Sequence, residues 1–255
     1  MPVPPDSGTV RTTTANGIAT VSFHHPKGNS LPGALLRELA DVIGQAGSDP
    51  GVHVVVLRSE GSGPFCAGAS FDELTRIEDP ESGRQFFSGF ATLILAMRQC
   101  PTPIVTRVHG KVAGGGVGIV AASDYVIATA NASLRLSELA VGIGPFVVGP
   151  VIERKVGPGA FAAMALDAAW RDAAWGERFG LYARVCADEA ALDDAVAAMA
   201  DSLARANPEA TRQLKEIFWE GTADWEAHLG ERAAMSGRLV LSDHTRRAIA
   251  EFRKS

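Results

Sequence analysis

The stretch that most constrains this chain is His109-Gly110-Lys111-Val112-Ala113-Gly114-Gly115-Gly116-Val117-Gly118. An apolar run, residues 104–108, leads into it, and small and β-branched residues, 117–122, lead out. The pattern predicts strand, glycine loop and helix start. Three consecutive glycines let the backbone approach a neighbour or ligand where a Cβ would clash. A helix beginning at Gly115 or Gly116 leaves its first N–H groups without intrahelical partners, at the positive end of the helix dipole. Such a site suits developing negative charge. Three readings compete. One is an ordinary tight turn. Another is a dinucleotide loop, since Gly116-x-Gly118-x-x-Ala121 loosely fits that fingerprint. The fingerprint wants an acid about 20 residues on, at the end of the next strand. The candidate strand, residues 125–128, ends without one, and Glu138 comes too late. The third reading is an oxyanion hole, which needs a second donor elsewhere.

That donor is suggested by Phe65-Cys66-Ala67-Gly68-Ala69. Residues 52–57 are apolar apart from His53 and read as a buried parallel strand, with His53 packed at its edge. The glycine-rich loop at 59–70 follows, and then a short helix. Gly68 permits a sharp turn, and Ala69 just past it can present a free N–H. One strand–loop–helix unit means little, but two favour the oxyanion reading.

Elsewhere the chain reads as alternating strands and helices. Residues 9–25 predict a hairpin about Asn16-Gly17. Ser30 is placed to cap the next helix, with Pro32 in its first turn and Leu35, Leu36, Leu39, Val42 and Ile43 on one face. A second amphipathic helix covers 81–99, and short strands are expected at 133–136 and 184–186. Ser137-Glu138 puts an acid among apolar neighbours, where a raised pKa would suit a general base. Read alone, the spacing favours a helix-start glutamate beside a Ser137 cap. Asp72 and Glu73 read as surface or helix-cap groups, Lys111 as a solvated lysine, and Trp219 and Trp225 as packing anchors. From residue 188 the pattern is purely helical. The organisation expected is a core over residues 1–190 and a helical region over 191–255.

Composition narrows the classes. The chain has 255 residues, 46% hydrophobic, enough for a sizeable core. A net charge of −5 without any basic run argues against a nucleic-acid surface. Cys66, Cys100 and Cys186 lack metal-ligand or disulfide spacing, which fits a reducing cytoplasm. The proline-rich polar start does not read as a signal peptide, and no apolar run is long enough to span a membrane. A serine hydrolase would need a Gly-x-Ser-x-Gly elbow and a zinc hydrolase a His-Glu-x-x-His, and neither occurs.

Taken together, Phe65-Cys66-Ala67-Gly68-Ala69, His109-Gly110 with Gly114-Gly115-Gly116, Ser123-Asp124-Tyr125-Val126-Ile127-Ala128, Ser137-Glu138 and Gly180-Leu181 make a series. In that order the sequence resembles the enoyl-CoA hydratase/isomerase (crotonase) family, over roughly residues 18–254. The resemblance implies an α/β crotonase-like fold, a ββα spiral core with a C-terminal helical trimerisation region, assembled as a homotrimer or a hexamer of paired trimers. It implies an acyl-CoA thioester substrate, with no metal and no cofactor beyond the coenzyme A of the substrate. By motif position the oxyanion donors are the amides of Ala69 and Gly115. Lys27, Ala67, Gly68 and Phe146 fall in the CoA- and substrate-binding region, and Arg253 and Lys254 lie where they would reach a neighbour's CoA. Typical hydratases of the family carry two glutamates. The second matches Glu138, but the first matches Gly118, and Phe146 stands where some relatives place an aspartate. The resemblance therefore points to a 3-enoyl-CoA to 2-enoyl-CoA isomerase with Glu138 as the lone proton carrier. The alternatives are an enoyl-CoA hydratase, including one for branched acyl groups, and a crotonase-like binding protein without catalysis.

Overall fold

Asn16 and Gly17 take positive φ angles of 53° and 79°, and the two-residue turn they form fixes the first hairpin. β1 (Thr9–Ala15) and β2 (Ile18–His24) pair antiparallel across it, with Ala15 opposite Ile18. The computed structural model describes residues 8–252. α1 (Gly33–Ser48) follows, then β3 (Val54–Ser59), α2 (Phe71–Leu74), α3 (Pro80–Gln99) and β4 (Ile104–Val108). After β5 (Val112–Ala113) and α4 (Gly115–Ala122) come β6 (Tyr125–Thr129) and β7 (Ser133–Arg135). α5 (Gly149–Val156), α6 (Pro158–Asp167), β8 (Arg171–Asp172), α7 (Ala173–Arg178) and β9 (Arg184–Cys186) complete the α/β part. The last helices are α8 (Glu189–Ala204), α9 (Pro208–Phe218), α10 (Trp225–Leu239) and α11 (Asp243–Phe252).

Two sheets result. The larger has the order β1-β2-β3-β4-β6-β9 and is parallel from β2 onward. The smaller is β5-β7-β8. The near-continuous apolar run of β3 has a direct cause, since both faces of the large sheet are covered. Val55 and Leu57 face the main core with Leu35, Leu39 and Leu93 from α1 and α3. Val54 and Val56 face the other way, onto Leu192, Ala195 and Val196 of α8. His53 sits beside this second layer, its Nδ1 2.9 Å from the carbonyl oxygen of Ala204. α10 lies on α3 at close range, because a Cβ on Gly83 would fall 2.8 Å from the Cα of Gly237. Lys215 of α9 is buried and reaches Asp124 at 2.8 Å and the carbonyl of Thr102 at 3.0 Å, fastening that helix to the α/β part. Trp219 and Trp225 pack edge to face with centroids 5.7 Å apart.

The expected Ser30 cap is not made. Pro32 occupies the N-cap position, and the free Gly33 N–H donates instead to Glu73 Oε2 at 2.8 Å. Ser30 Oγ lies 3.2 Å from His25 Nδ1. Glu73 thus caps a helix, although one whose start is far from it in sequence. This contact ties α1 to the loop that carries Gly68 and Ala69. α11 packs its Val240-side neighbours, Ile143 and Ile249, into a small cluster, and Thr245 Oγ1 donates to the carbonyl of Gly142 at 2.8 Å. Arg253 and Lys254 lie outside the described residues.

Candidate active site

Two isolated bridges fix the first loop, one to the segment before α1 and one to the second loop. Leu31 N–H donates to the Gly68 carbonyl at 2.8 Å, and Ser70 N–H donates to the Leu31 carbonyl at 3.2 Å. In this parallel arrangement the flanking residues make the bonds, so the N–H of Ala69 itself points away from Leu31. Cys66 pairs likewise with the second loop: its N–H donates to Lys111 and its carbonyl accepts from Ala113. The Gly114 N–H then donates to the carbonyl of Arg135 at 2.9 Å, and α4 begins at Gly115. Gly68 has φ of +94°, and a Cβ there would lie 3.1 Å from the Ala113 carbonyl oxygen and 3.7 Å from the Gly115 nitrogen. Among the described residues no hydrogen bond uses the N–H of Ala69 or of Gly115.

Each of the three glycines has its own reason. Gly114 has φ of +52°. A Cβ on Gly115 would meet the Phe90 ring at 2.3 Å, and one on Gly116 would meet Cys66 Cβ at 2.8 Å. The loop is therefore pressed between α3 and the first loop, and its backbone is the surface left facing outward.

Both loops open on a cavity of about 460 Å³. Ala67, Gly68, Ala69, Gly114 and Gly115 form its backbone-lined part, and Phe86, Phe87, Phe90, Ile143 and Val148 form an apolar wall. Two acids line it, Asp72 and Glu138. Asp72 is ion-paired with Lys27, which also lines the cavity. Glu138 is different. Its Oε2 is shielded from solvent and has no hydrogen-bond partner, and its Oε1 would lie 3.3 Å from a Cβ on Gly114. Burial pushes its carboxyl up to about 7, and backbone hydrogen bonds from Glu138 and Ser137 only partly oppose this. Glu138 does stand at a helix start, the 3-10 turn Leu139–Val141, but its carboxyl makes no cap. A carboxyl that ionises near neutrality, beside two unpartnered amides, suits proton transfer next to a developing oxyanion.

The position matched to the first hydratase glutamate is closed. A Cβ on Gly118 would lie 2.6 Å from Val148 Cγ1, 2.9 Å from Val148 Cβ and 3.4 Å from Ile94 Cδ1. Side chains of α3 and of the segment entering α5 fill the space a carboxylate would need. Phe146, expected to bind substrate, is not among the residues lining the cavity. Gly144 lacks a side chain, and the Phe146 ring folds back over it, 2.2 Å from where a Cβ would be. Pro145, Val147 and Val148 line the cavity in its place.

Among the lining residues not singled out from the sequence are Arg135 and Trp170. A faint signal existed for the first. Strand alternation over Ser133-Leu134-Arg135 sends Leu134 to the core and Arg135 to the opposite face. Lys111 is exposed, but its Nζ stands 5.5 Å from the centroid of the Trp170 ring. Among the described residues no group of three or more His, Cys, Asp and Glu side chains converges as a metal site, and no helix is long and apolar enough to cross a membrane.

Comparison with known proteins gives the family and the fold. Residues 13–253 match the model of the enoyl-CoA hydratase/isomerase family. A (7aS)-7a-methyl-1,5-dioxo-2,3,5,6,7,7a-hexahydro-1H-indene-carboxyl-CoA hydrolase of Mycobacterium tuberculosis is 31% identical over 81% of this chain and 82% of its own. A carnitinyl-CoA dehydratase of Proteus mirabilis is 26% identical over 91% and 88%. The crystal structure of an enoyl-CoA hydratase from Mycobacterium avium superposes with a TM-score of 0.85 at 26% identity, covering 96% of each chain.

Proposed function

Because the chain belongs to the enoyl-CoA hydratase/isomerase family, we propose that it isomerises a 3-enoyl-CoA to the 2-enoyl-CoA with Glu138 as its single proton carrier. The thioester oxygen accepts hydrogen bonds from the Ala69 and Gly115 amides. The Glu138 carboxylate takes a proton from C2, and the charge moves onto the thioester oxygen as a dienolate. Protonated Glu138 returns the proton at C4, and the double bond now joins C2 and C3. Nothing is added or lost. Each amide of such a pair typically contributes about 3–4 kcal/mol to lowering the barrier. The loop of Ala67 and Gly68, with Lys27 at its edge, is where we place the coenzyme A moiety.

The observation that carries this reading is the packing of Gly118 against Val148, together with a buried Glu138 carboxyl whose Oε2 has no hydrogen-bond partner. Hydration needs a water held and activated on the far side of the double bond, which a second carboxylate ordinarily does. Isomerisation needs one base only. Hydration is the second reading, favoured by the hydratase, dehydratase and hydrolase names of the relatives. Glu138 would then protonate C2 while water, held by other groups, attacks C3.

The deciding assay supplies 3-enoyl- and 2-enoyl-CoAs of several lengths in deuterium oxide and follows the products by NMR. Double-bond migration with deuterium entering C2 and C4, and no 3-hydroxyacyl-CoA, is expected. Accumulation of 3-hydroxyacyl-CoA without migration overturns the isomerase reading. Absence of C2 exchange with every acyl-CoA removes the enzyme reading and leaves a binding protein. We also propose assembly as a homotrimer or a hexamer of paired trimers, and a cytoplasmic setting. Leu214, Ile217 and Phe218, exposed on one face of α9, support assembly, and sedimentation velocity tests it.

A further inference from the structure

The small sheet carries a row of side chains on its cavity face. Ala113 pairs with Arg135 in the β5–β7 register, and the β7–β8 register, continued by one residue, puts Trp170 opposite Arg135. Lys111 lies two residues before Ala113, on the same face. The outcome is visible in the contacts. Arg135 Cζ lies 6.0 Å from the Trp170 ring centroid, and Lys111 Nζ lies 5.5 Å from it. Arg135 and Trp170 both line the cavity that holds Glu138.

These two cations have no counter-charge. Among the described residues neither Lys111 nor Arg135 is in an ion pair, and Arg135 is not joined to Glu138. Asp167 and Asp172, on either side of Trp170 in the chain, are engaged elsewhere. Asp167 pairs with Arg171, and Asp172 caps α7 by accepting from Trp175 N–H. The Nε of Arg135 is also shielded from solvent without any hydrogen-bond partner. A guanidinium within cation–π range of an aromatic ring, with a desolvated and unused N–H, is suited to a planar, bidentate anion.

We propose that the acyl group taken into this cavity ends in a carboxylate, and that Arg135, which shares the Trp170 ring with Lys111, is the subsite that binds it. This rests on the acyl-CoA reading above and deepens it, making the substrate the thioester of a dicarboxylic acid. The backbone of Arg135 accepts from Gly114, next to the proposed oxyanion amide of Gly115. Lys27, before α1, and Ala67, before α2, line the cavity from other segments. The carboxylate subsite is thus distinct from the region proposed for the CoA phosphates.

The test measures binding of unreactive saturated thioesters by calorimetry. Succinyl-, glutaryl-, adipyl- and pimelyl-CoA are each compared with the monocarboxylic acyl-CoA of equal carbon number, and with free CoA. At least one dicarboxylic member should bind the wild type about 10- to 100-fold more tightly than its neutral match. Arg135→Gln should abolish that preference while leaving the neutral acyl-CoAs within about twofold, which also shows that the variant is folded. Arg135→Lys should keep part of the preference, and Trp170→Leu should reduce it. No dicarboxylic preference at any length overturns the subsite and leaves the acyl-CoA reading standing. Equal loss for dicarboxylic, neutral and free CoA in Arg135→Gln assigns the arginine to the CoA phosphates or to the fold, and overturns it too. Failure of every thioester and of CoA to bind the wild type overturns both readings.

Discussion

Replacing Glu138 by Gln should stabilise the protein while abolishing its chemistry, and the gain should depend on pH in a defined direction. Burial moves the carboxyl from its ordinary 4.5 to about 7. At about 1.4 kcal/mol per pH unit, that difference is about 3 kcal/mol of destabilisation when the group is ionised. The sign follows from which state holds the proton. Below 4.5 both the folded and the unfolded chain are protonated there, and the group has no effect. Between 4.5 and 7 the folded protein still binds a proton that the unfolded chain has released, so stability falls as pH rises. Above 7 the full cost is present. A glutamine has no charge to desolvate and escapes it.

Glu138→Gln should therefore be more stable than wild type by about 3 kcal/mol at pH 8 and by about 1 kcal/mol or less at pH 5. For a chain of this size the pH 8 difference is about 6–12 °C in melting temperature. Urea or thermal unfolding of both proteins across this range measures it. Proton exchange at C2 should fall by about 10²–10⁴-fold in the same variant. In the wild type, kcat/KM should rise with pH through about 7 as the base ionises. Parallel stability curves for the two proteins would refute the reasoning, since they mean that Glu138 ionises as a solvated carboxylate does.

Three further outcomes follow from the packing around the site. Gly115→Ala drives a Cβ to within 2.3 Å of Phe90, and should cost about 1–3 kcal/mol and most of the activity. Phe90→Ala in the same protein should restore room at the loop, read by circular dichroism melts. Gly118→Ala meets Val148 at 2.6 Å and should destabilise similarly, whereas adding Val148→Ala should return most of the loss by double-mutant cycle. Burial raises the Cys66 thiol to about 12, so Cys66 should resist thiol reagents at pH 8 in the native protein and react only on unfolding, as mass spectrometry of labelled peptides would show.

Where local chemistry decides, the sequence was legible. Asn16-Gly17 fixes a two-residue turn wherever it falls between alternating strands, and the hairpin is there. The run at 104–108 and the short strand expected at 184–186 coincide with β4 and β9. The two glycine loops were also readable as a pair, and the structure brings them within hydrogen-bonding distance. What stayed hidden depends on partners remote in sequence. Ser30 looked like a cap because its neighbours did not reveal Glu73, which arrives from another loop. Phe146 was expected in the cavity from its position in the family resemblance, and nothing local to Gly144-Pro145 revealed that its ring folds back over Gly144. Arg135 passed unnoticed because a charged residue on a short strand ordinarily faces water. Only the register of the small sheet turns it toward Trp170 and the cavity.

The chemistry proposed for this site turns on apolar packing as much as on Glu138, since the other lining acid, Asp72, is ion-paired with Lys27. Val148 and Ile94 close over Gly118, so the wall beside Glu138 offers no second carboxylate to share or repel its charge. The Glu138 carboxyl is raised by burial alone, with no like-charged neighbour among the causes. A second acid nearby would raise one of the pair further and hold the other ionised, dividing them into an acid and a base. A solitary carboxyl near 7 is present in both forms at neutral pH. It accepts a proton from one carbon and delivers it to another with little change in driving force in either direction. These features support the proposed movement of a proton along the acyl chain over the addition of water across its double bond.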